Sequence, residues 1–345
     1  MVTLTIDGKE VTVPQGSTIL EAAKSVGIRI PTLCYHERMN PIGSCRMCVV
    51  EIEGFEHPMA ACTTPVEDGI EVVTTSERLI RIRQDSLKLI LVNHPLDCPV
   101  CDKGGECLLQ DLVFEHGIDK VEYSAAKIER EALYATPLIR YWPDRCIMCL
   151  RCVTACREIK GIGAISIEGT GYGTQVAAID PEKCQSCGEC LQVCPTGALT
   201  ENLGRYKGRT WLVERVPTTC TYCGCGCQLE LNVQNNRVIA VTTKENAGIN
   251  HGSLCVKGRF GYEFINSSER LTTPLIKKDG EFQEASWDEA LSLVANKFAA
   301  IKDQFGSGAI AGLTSARCTN EENYLFQKFM RAGIGTNNVD HCARL

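Results

Sequence analysis

The chain opens on an alternation. Val2, Leu4 and Ile6, then Val11 and Val13, are apolar with polar residues between them, the period of two half-buried strands. Asp7-Gly8 interrupts the alternation with a pair that favours a tight hairpin turn. Beyond it the period lengthens to that of a helix over 17–26. Thr18 and Glu21 are spaced as a capping box, and Gly27 stands where a helix ends. A second amphipathic helix is predicted over 78–92, ending before Asn93-His94-Pro95. Alternation returns over 229–242 around Asn235-Asn236, which reads as another hairpin. From Ser286-Trp287-Asp288-Glu289-Ala290 the pattern becomes helix over 287–304, strand over 309–313, a polar loop and a further helix, an α/β arrangement. The pattern as a whole is that of an α+β multidomain chain.

Composition changes this picture in one respect. The 345 residues allow two to four small domains. Hydrophobic residues are 44% and charged ones 23%, as in soluble globular proteins, but aromatics are only 6%. Much of the chain must fold around something other than a large apolar core, and bound metal can supply that stability. The formal net charge of −6 argues against nucleic acid or an anionic membrane as the main partner. No stretch approaches the ~18 consecutive apolar residues of a membrane span. The start, Met1-Val2-Thr3-Leu4-Thr5-Ile6-Asp7, has no basic region, signal core or twin arginine. The expected compartment is a reducing cytoplasm, where 22 cysteines mean metal or redox chemistry rather than disulfides.

Nineteen of those cysteines fall into five sets spaced like iron–sulfur ligands. The first is Cys34-x10-Cys45-x2-Cys48-x13-Cys62, with Gly43-Ser44 letting backbone amides approach the sulfurs. Its spacing departs from that of plant ferredoxins. It resembles the [2Fe–2S] domain that opens the large iron–sulfur subunit of respiratory NADH dehydrogenase and of several hydrogenases, which implies a β-grasp domain over 1–78. His94-x3-Cys98-x2-Cys101-x5-Cys107 is similar to the His(Cys)3 set of a [4Fe–4S] cluster in the same families, and implies a helical domain over 79–120. On spacing alone, His94 equally reads as the cationic cap of a helix C-terminus. As a ligand, a neutral imidazole would make the site less negative and raise its potential.

The strongest motif is an internal repeat. Cys146-x2-Cys149-x2-Cys152-x3-Cys156 returns as Cys184-x2-Cys187-x2-Cys190-x3-Cys194, followed by Pro195. In bacterial two-cluster ferredoxins the fourth cysteine of each run serves the other cluster. One cubane is therefore expected on Cys146, Cys149, Cys152 and Cys194, and its neighbour on Cys184, Cys187, Cys190 and Cys156, within a domain over 138–205. Zinc is the alternative for paired cysteines, and the doubled run disfavours it. The fifth set, Cys220-x2-Cys223-x3-Cys227 with Cys255, resembles the N-terminal cluster domain of molybdenum or tungsten bis-pterin enzymes, here a small β domain over 213–268. Cys225 falls in a non-ligand slot of that pattern. Lys257 matches the family lysine between cluster and pterin, a resemblance that implies the role of an electron relay; an exposed surface lysine is the plain alternative.

Residues 269–345 read as the beginning of an α/β molybdopterin domain. A strand running into a polar loop and helix is where such a fold places ligand phosphates. Arg317, Asn320 and Glu321 are the candidate pterin contacts. The stretch 335–345 resembles formate dehydrogenase catalytic subunits, in which the next residue is a metal-ligating selenocysteine or cysteine. That implies a reading frame halted at a UGA codon, with deliberate truncation as the alternative; the codons after Leu345 distinguish them.

The resemblance spans the chain. It implies the electron-transfer half of a formate dehydrogenase alpha subunit with one [2Fe–2S] cluster and four [4Fe–4S] clusters, roughly 18 irons in all. The complete enzyme would carry Mo- or W-bis(molybdopterin guanine dinucleotide) and act on formate or CO2. Its expected partner is a flavin-containing NADH-binding iron–sulfur subunit, a ferredoxin or a hydrogenase subunit. Alone, the chain is expected to oxidise little formate. One rival is a non-catalytic iron–sulfur subunit of NADH dehydrogenase or of a bidirectional hydrogenase, which the doubled run and the ending oppose. The other is an iron-only hydrogenase, whose further cysteine pattern 206–345 does not contain.

Overall fold

The computed structural model describes residues 1–125, 133–177, 179–204 and 208–342, and it divides into two compact units, Met1–Val213 and Glu214–Leu345. In the first unit, β1 (Val2–Ile6) and β2 (Lys9–Val13) form the expected hairpin. Asp7 and Gly8 sit at φ 47° and 77°, the left-handed pair a two-residue hairpin turn needs. Helix α1 (Ile19–Ser25) carries both halves of the capping box, Glu21 N–H onto the Thr18 hydroxyl and Thr18 N–H onto the Glu21 carboxylate. Its Ile19, Leu20, Ala22 and Ala23 are buried in a core with Leu4, Ile6, Val11 and Val50. Strands β3 (Val49–Ile52), β4 (Met59–Ala60) and β5 (Glu71–Val73) complete a mixed sheet in the order β2-β1-β5-β3-β4, with β1 and β5 parallel.

Helix α2 (Glu77–Asn93) starts at Ser76, whose hydroxyl accepts the Leu79 N–H, and α3 (Leu108–Glu115) follows the three-cysteine loop. Leu87 and Leu91 from α2 meet Leu109 and Leu112 from α3 in a second core that also holds Leu33, Met47 and Cys107. The cysteine loops are thus part of the interior, which is how a chain with few aromatics closes. Next come β6 (Leu133–Thr136), β7 (Ile139–Tyr141) and α4 (Arg151–Thr154), which widens into a π turn over Ala155–Ile159. The small hairpin of β8 (Ile167–Glu168) and β9 (Gln175–Val176) precedes α5 (Glu189–Val193) and β10 (Leu199–Glu201), and β10 joins a sheet in the order β10-β7-β6.

In the second unit, β11 (Glu214–Thr219), β12 (Gln228–Gln234) and β13 (Arg237–Thr242) form an antiparallel sheet, with Asn235 and Asn236 left-handed at the predicted turn. A short helix α6 (Val256–Phe260), the hairpin β14 (Leu275–Lys278) and β15 (Glu281–Glu284), and α7 (Trp287–Phe305) follow, α7 being capped by Ser286. Strand β16 (Gly312–Ser315) begins three residues later than expected. Ile310 is drawn instead into a core with Met330 and Ile334, and pairing starts only where Gly312 meets Val339. Helix α8 (Asn320–Lys328) then leads to β17 (Val339–Cys342), which is parallel to β16. Among the described residues, no helix is long and apolar enough to cross a membrane.

Candidate metal centres

In the first set Cys34, Cys48 and Cys62 are buried and Cys45 is half-buried. The loop that presents them is strained, with Arg46 at φ 57° between Cys45 and Cys48. Cys34 and Cys45 form one pair, the Cys34 N–H lying 3.4 Å from Cys45 Sγ, and Cys48 hydrogen-bonds Cys62. The hydrogen bond from Cys45 brings the Cys34 thiol down to about 5, helped by the amide and hydroxyl of Ser44 and opposed by burial. The bond from Cys62 brings Cys48 down to about 7, while the two donors, Cys45 and Cys62, go up. Each pair thus shares a proton that metal binding would release. Arg83 of α2 braces the loop from behind. It is 4% exposed and donates to the carbonyls of Met47 (3.1 Å), Val49 and Thr74 (both 2.8 Å).

His94 stands at the C-terminal cap of α2, half-buried, where the backbone turns extended toward Cys98. Cys101 and Cys107 are buried, and burial raises both thiols above their ordinary value. Cys98 and Cys101 both lie within electrostatic reach of Cys107. This loop is joined to the next site by three contacts. The Leu108 N–H donates to the Pro195 carbonyl at 3.0 Å, and buried Arg145 pairs with Asp97 at 2.5 Å. Gly197 packs so closely that an added Cβ would overlap Cys101 Sγ.

The doubled run makes two cavities. One is lined by Cys146, Cys149, Cys152 and Cys194, the other by Cys184, Cys187, Cys190 and Cys156. Each takes three sulfurs from one run and the fourth from the other. The repeat extends to the backbone, because Met148 and Leu150 (φ 52° and 60°) and their counterparts Ser186 and Gly188 (51° and 73°) are all left-handed. Three of the four are not glycine, at about 1–3 kcal/mol each. The Ser186 N–H points to Cys184 Sγ at 3.4 Å. Burial, then the charge of Cys194, pushes the Cys149 thiol up to about 12, and burial raises Cys152 well above its ordinary value. Four sulfurs ringing each cavity are a donor set that suits a polynuclear group.

In the second unit Cys220, Cys223, Cys227 and Cys255 come together, Cys227 being raised by burial and then by the other thiols around it. Cys255 caps α6, its sulfur accepting the Gly258 N–H at 3.5 Å. The hydrogen bonds from Cys225 lower Cys223, and the charges of Lys257 and Arg317 add to the effect. Cys225 is an exposed free thiol hydrogen-bonded to Cys223, and Lys257 lies beside the set.

A pocket of about 270 Å³ opens beside the C-terminal end of β16 and along β17, lined by Thr314, Ser315, Asn323, Asp340 and His341 among others. Arg317 is on the adjoining loop, while Asn320 and Glu321 are exposed in the first turn of α8 and do not line it. Asn323 is a member that no motif in the sequence singles out. It lies one turn on from Asn320, on the face that meets β16, and its amide donates to the Ser315 carbonyl at 3.3 Å. Asp340 and His341, within the 335–345 stretch, reach the pocket by the parallel pairing of β17 with β16.

Five family models match the chain: a 2Fe-2S iron-sulfur cluster binding domain (1–77), the NADH-ubiquinone oxidoreductase-G iron-sulfur binding region (83–122), a 4Fe-4S dicluster domain (145–198), the molybdopterin oxidoreductase Fe4S4 domain (213–267) and molybdopterin oxidoreductase (270–345). A Geobacter sulfurreducens protein named NADPH-Fe(3+) oxidoreductase subunit alpha is 48% identical over 100% of this chain and 40% of its own length. A G-type NADH-quinone oxidoreductase subunit of Rhizobium meliloti is 40% identical over the same shares. A Staphylococcus aureus protein named "Putative formate dehydrogenase SAB2186c" is 34% identical over 99% of this chain and 39% of its own. The chain thus spans about 40% of the length of these curated relatives. A chain of a NAD+-reducing [NiFe]-hydrogenase solved in the H2-reduced state is 33% identical, with a TM-score of 0.56, over 60% of this chain and 90% of that one.

Proposed function

Because this chain belongs to the molybdopterin oxidoreductase family, as an iron–sulfur electron-transfer module with an N-terminal region of the NADH-dehydrogenase G type, we propose that it passes electrons between a nicotinamide-linked flavin partner and a molybdenum or tungsten pterin site. The carrying observation is the pair of cavities, each walled by three cysteines of one run and one of the other. The ligands are Cys34, Cys45, Cys48 and Cys62 for one [2Fe–2S] cluster. Four [4Fe–4S] clusters take His94 with Cys98, Cys101 and Cys107; Cys146, Cys149, Cys152 and Cys194; Cys184, Cys187, Cys190 and Cys156; and Cys220, Cys223, Cys227 and Cys255. Bound clusters supply one-electron carriers, which let two-electron chemistry at a pterin meet a partner that accepts electrons singly. The protein's part is to hold thiolates in a dry interior, to present amides to the sulfurs, and to set cations beside them. Lys257 and Arg317 serve the last role at the exposed site, where positive charge favours an incoming electron.

The substrate of the complete protein in this proposal is formate, oxidised to CO2 with release of two electrons and a proton, or CO2 in reverse, in the cytoplasm. Support comes from the resemblance of 335–345 to formate dehydrogenases and from the Staphylococcus aureus relative. A second reading omits formate and couples NAD(P)H to another acceptor. It is favoured by the 48% identity to a protein named NADPH-Fe(3+) oxidoreductase subunit alpha. Anaerobic purification with iron analysis tests the cluster assignment: roughly 18 irons are expected in this segment, and half that number would remove at least two sites. Dye reduction by the full-length protein with its partner, driven by formate or by NAD(P)H, separates the readings. Reduction by NAD(P)H with none by formate would overturn the substrate assignment and leave the electron-transfer role standing.

A further inference from the structure

Arg151 lies where two of the candidate sites meet. It follows Cys149 by two residues, precedes Cys152, and is 8% exposed. Its guanidinium reaches both ways. Nη2 donates to the carbonyl of Tyr35, next to Cys34, at 2.6 Å, and Nη1 donates to the carbonyl of Val193, next to Cys194, at 3.5 Å. Cys149 and Cys194 on one side, and Cys34 and Cys45 on the other, are near enough to act on its charge. Among the described residues no carboxylate pairs with it, and its Nε has no hydrogen-bond partner. A buried guanidinium without a counter-charge is costly. The thiols around it become anionic when they ligate metal, so the counter-charges are the ligands themselves. The 35–40 segment is held to the doubled run by other contacts too. Arg38 pairs with buried Glu189, the Asn40 N–H donates to Glu158 at 3.0 Å, and Met39 packs on Ala155 and Val193.

We propose that Arg151 is a shared positioning residue whose fork fixes one ligand-bearing segment of the [2Fe–2S] site and one of the cubane site on Cys146, Cys149, Cys152 and Cys194, and whose charge raises the reduction potential of both. The inference rests on the cluster assignment above. Reduction adds a negative charge to each site, and a cation held between them in a low-dielectric interior favours that step at both. The two sites thereby become electrostatic neighbours that share one tuning group.

The test uses the full chain loaded with clusters under anaerobic conditions, as wild type, Arg151→Met and Arg151→Lys. Redox titration followed by electron paramagnetic resonance reads the potentials, and hydrogen exchange reads the backbone around Tyr35 and Val193. Arg151→Met is expected to lower both midpoints, each by about a tenfold change in the reduced-to-oxidised ratio, or about 59 mV for a one-electron couple. The site on Cys220, Cys223, Cys227 and Cys255 is expected to keep its midpoint. Arg151→Lys is expected to keep both midpoints near wild type and to speed exchange at both segments, because an ammonium cannot reproduce the planar fork. Unmoved midpoints in an iron-replete Arg151→Met protein, or movement of only one, would overturn the proposal. If that variant does not retain its iron, Arg151→Lys decides: unchanged exchange at the two segments, or a tenfold shift in either couple, overturns it. Absence of the cluster signals in wild type would remove the cluster assignment itself, so the two failures are distinct.

Discussion

Gly197→Ala should abolish one iron site and spare the fold. The added Cβ would come closer to Cys101 Sγ than the 3.0 Å that real Cβ atoms respect, with Lys103 Cβ already at 3.4 Å and Arg145 Cδ at 3.5 Å. The sulfur must retreat by about 1 Å to regain ordinary contact. A free thiol can do this cheaply by rotating about χ1. A metal-bound thiolate cannot, since coordination distances hold to about 0.2 Å. The metal-free variant should therefore lose no more than the ~1–3 kcal/mol of a tight small-to-large change. The loaded variant should drop about four irons, the content of one cubane, together with that site's paramagnetic signal. Iron analysis, spectroscopy and melting of the metal-free protein measure the three quantities. Full iron with an unchanged spectrum would refute the ligand role of Cys101, and collapse of the metal-free protein would refute the claim that only the metal fixes the sulfur.

Arg83→Met removes three hydrogen bonds to buried carbonyls at Met47, Val49 and Thr74; a loss of about 2–4 kcal/mol is expected, with the [2Fe–2S] signal lost first on heating, and a melt within error of wild type would contradict it. Cys149 is raised by burial from an ordinary 9.0 to about 12, so its folded form retains a proton that the unfolded form releases. Its contribution to metal-free stability is accordingly full below pH 9 and lost as pH rises toward 12. Metal binding must displace the same proton, so the loaded protein should shed iron faster as pH falls; parallel pH trends in the two forms would count against this. Chelating the iron should lower the melting temperature of the first unit, because Cys48, Cys62 and Cys107 are members of its cores, and an unchanged melt would mean that those cores close without metal. The Lys24–Glu37 pair is a solvent-facing contact, and Lys24→Ala should change stability by less than about 1 kcal/mol in a urea melt.

The local elements are legible because each is written in neighbouring residues. The Asp7-Gly8 turn, the Thr18/Glu21 cap, the Asn235-Asn236 turn and the ends of α7 follow from propensity and capping within one or two helical turns. Ligand spacing is legible for the same reason: a C-x2-C run bends back on itself, so its sulfurs are neighbours by connectivity. The exchange of the fourth cysteine between the two runs follows from the repeat, and the cavities bring those residues together. The start of β16 is not legible, because Ile310 answers to Met330 and Ile334, twenty or more residues away.

Which cysteines are spaced as metal ligands, and in which groups, is therefore written along the chain. How those groups adjoin is not. Arg83 bracing the Cys48 loop, Gly197 against Cys101, Arg151 between Tyr35 and Val193, and Asn323 with His341 around one pocket all join segments far apart in the chain. Such contacts are set by packing and by the need of a buried charge or carbonyl for a partner. Those requirements act in space, and no local period or spacing records them.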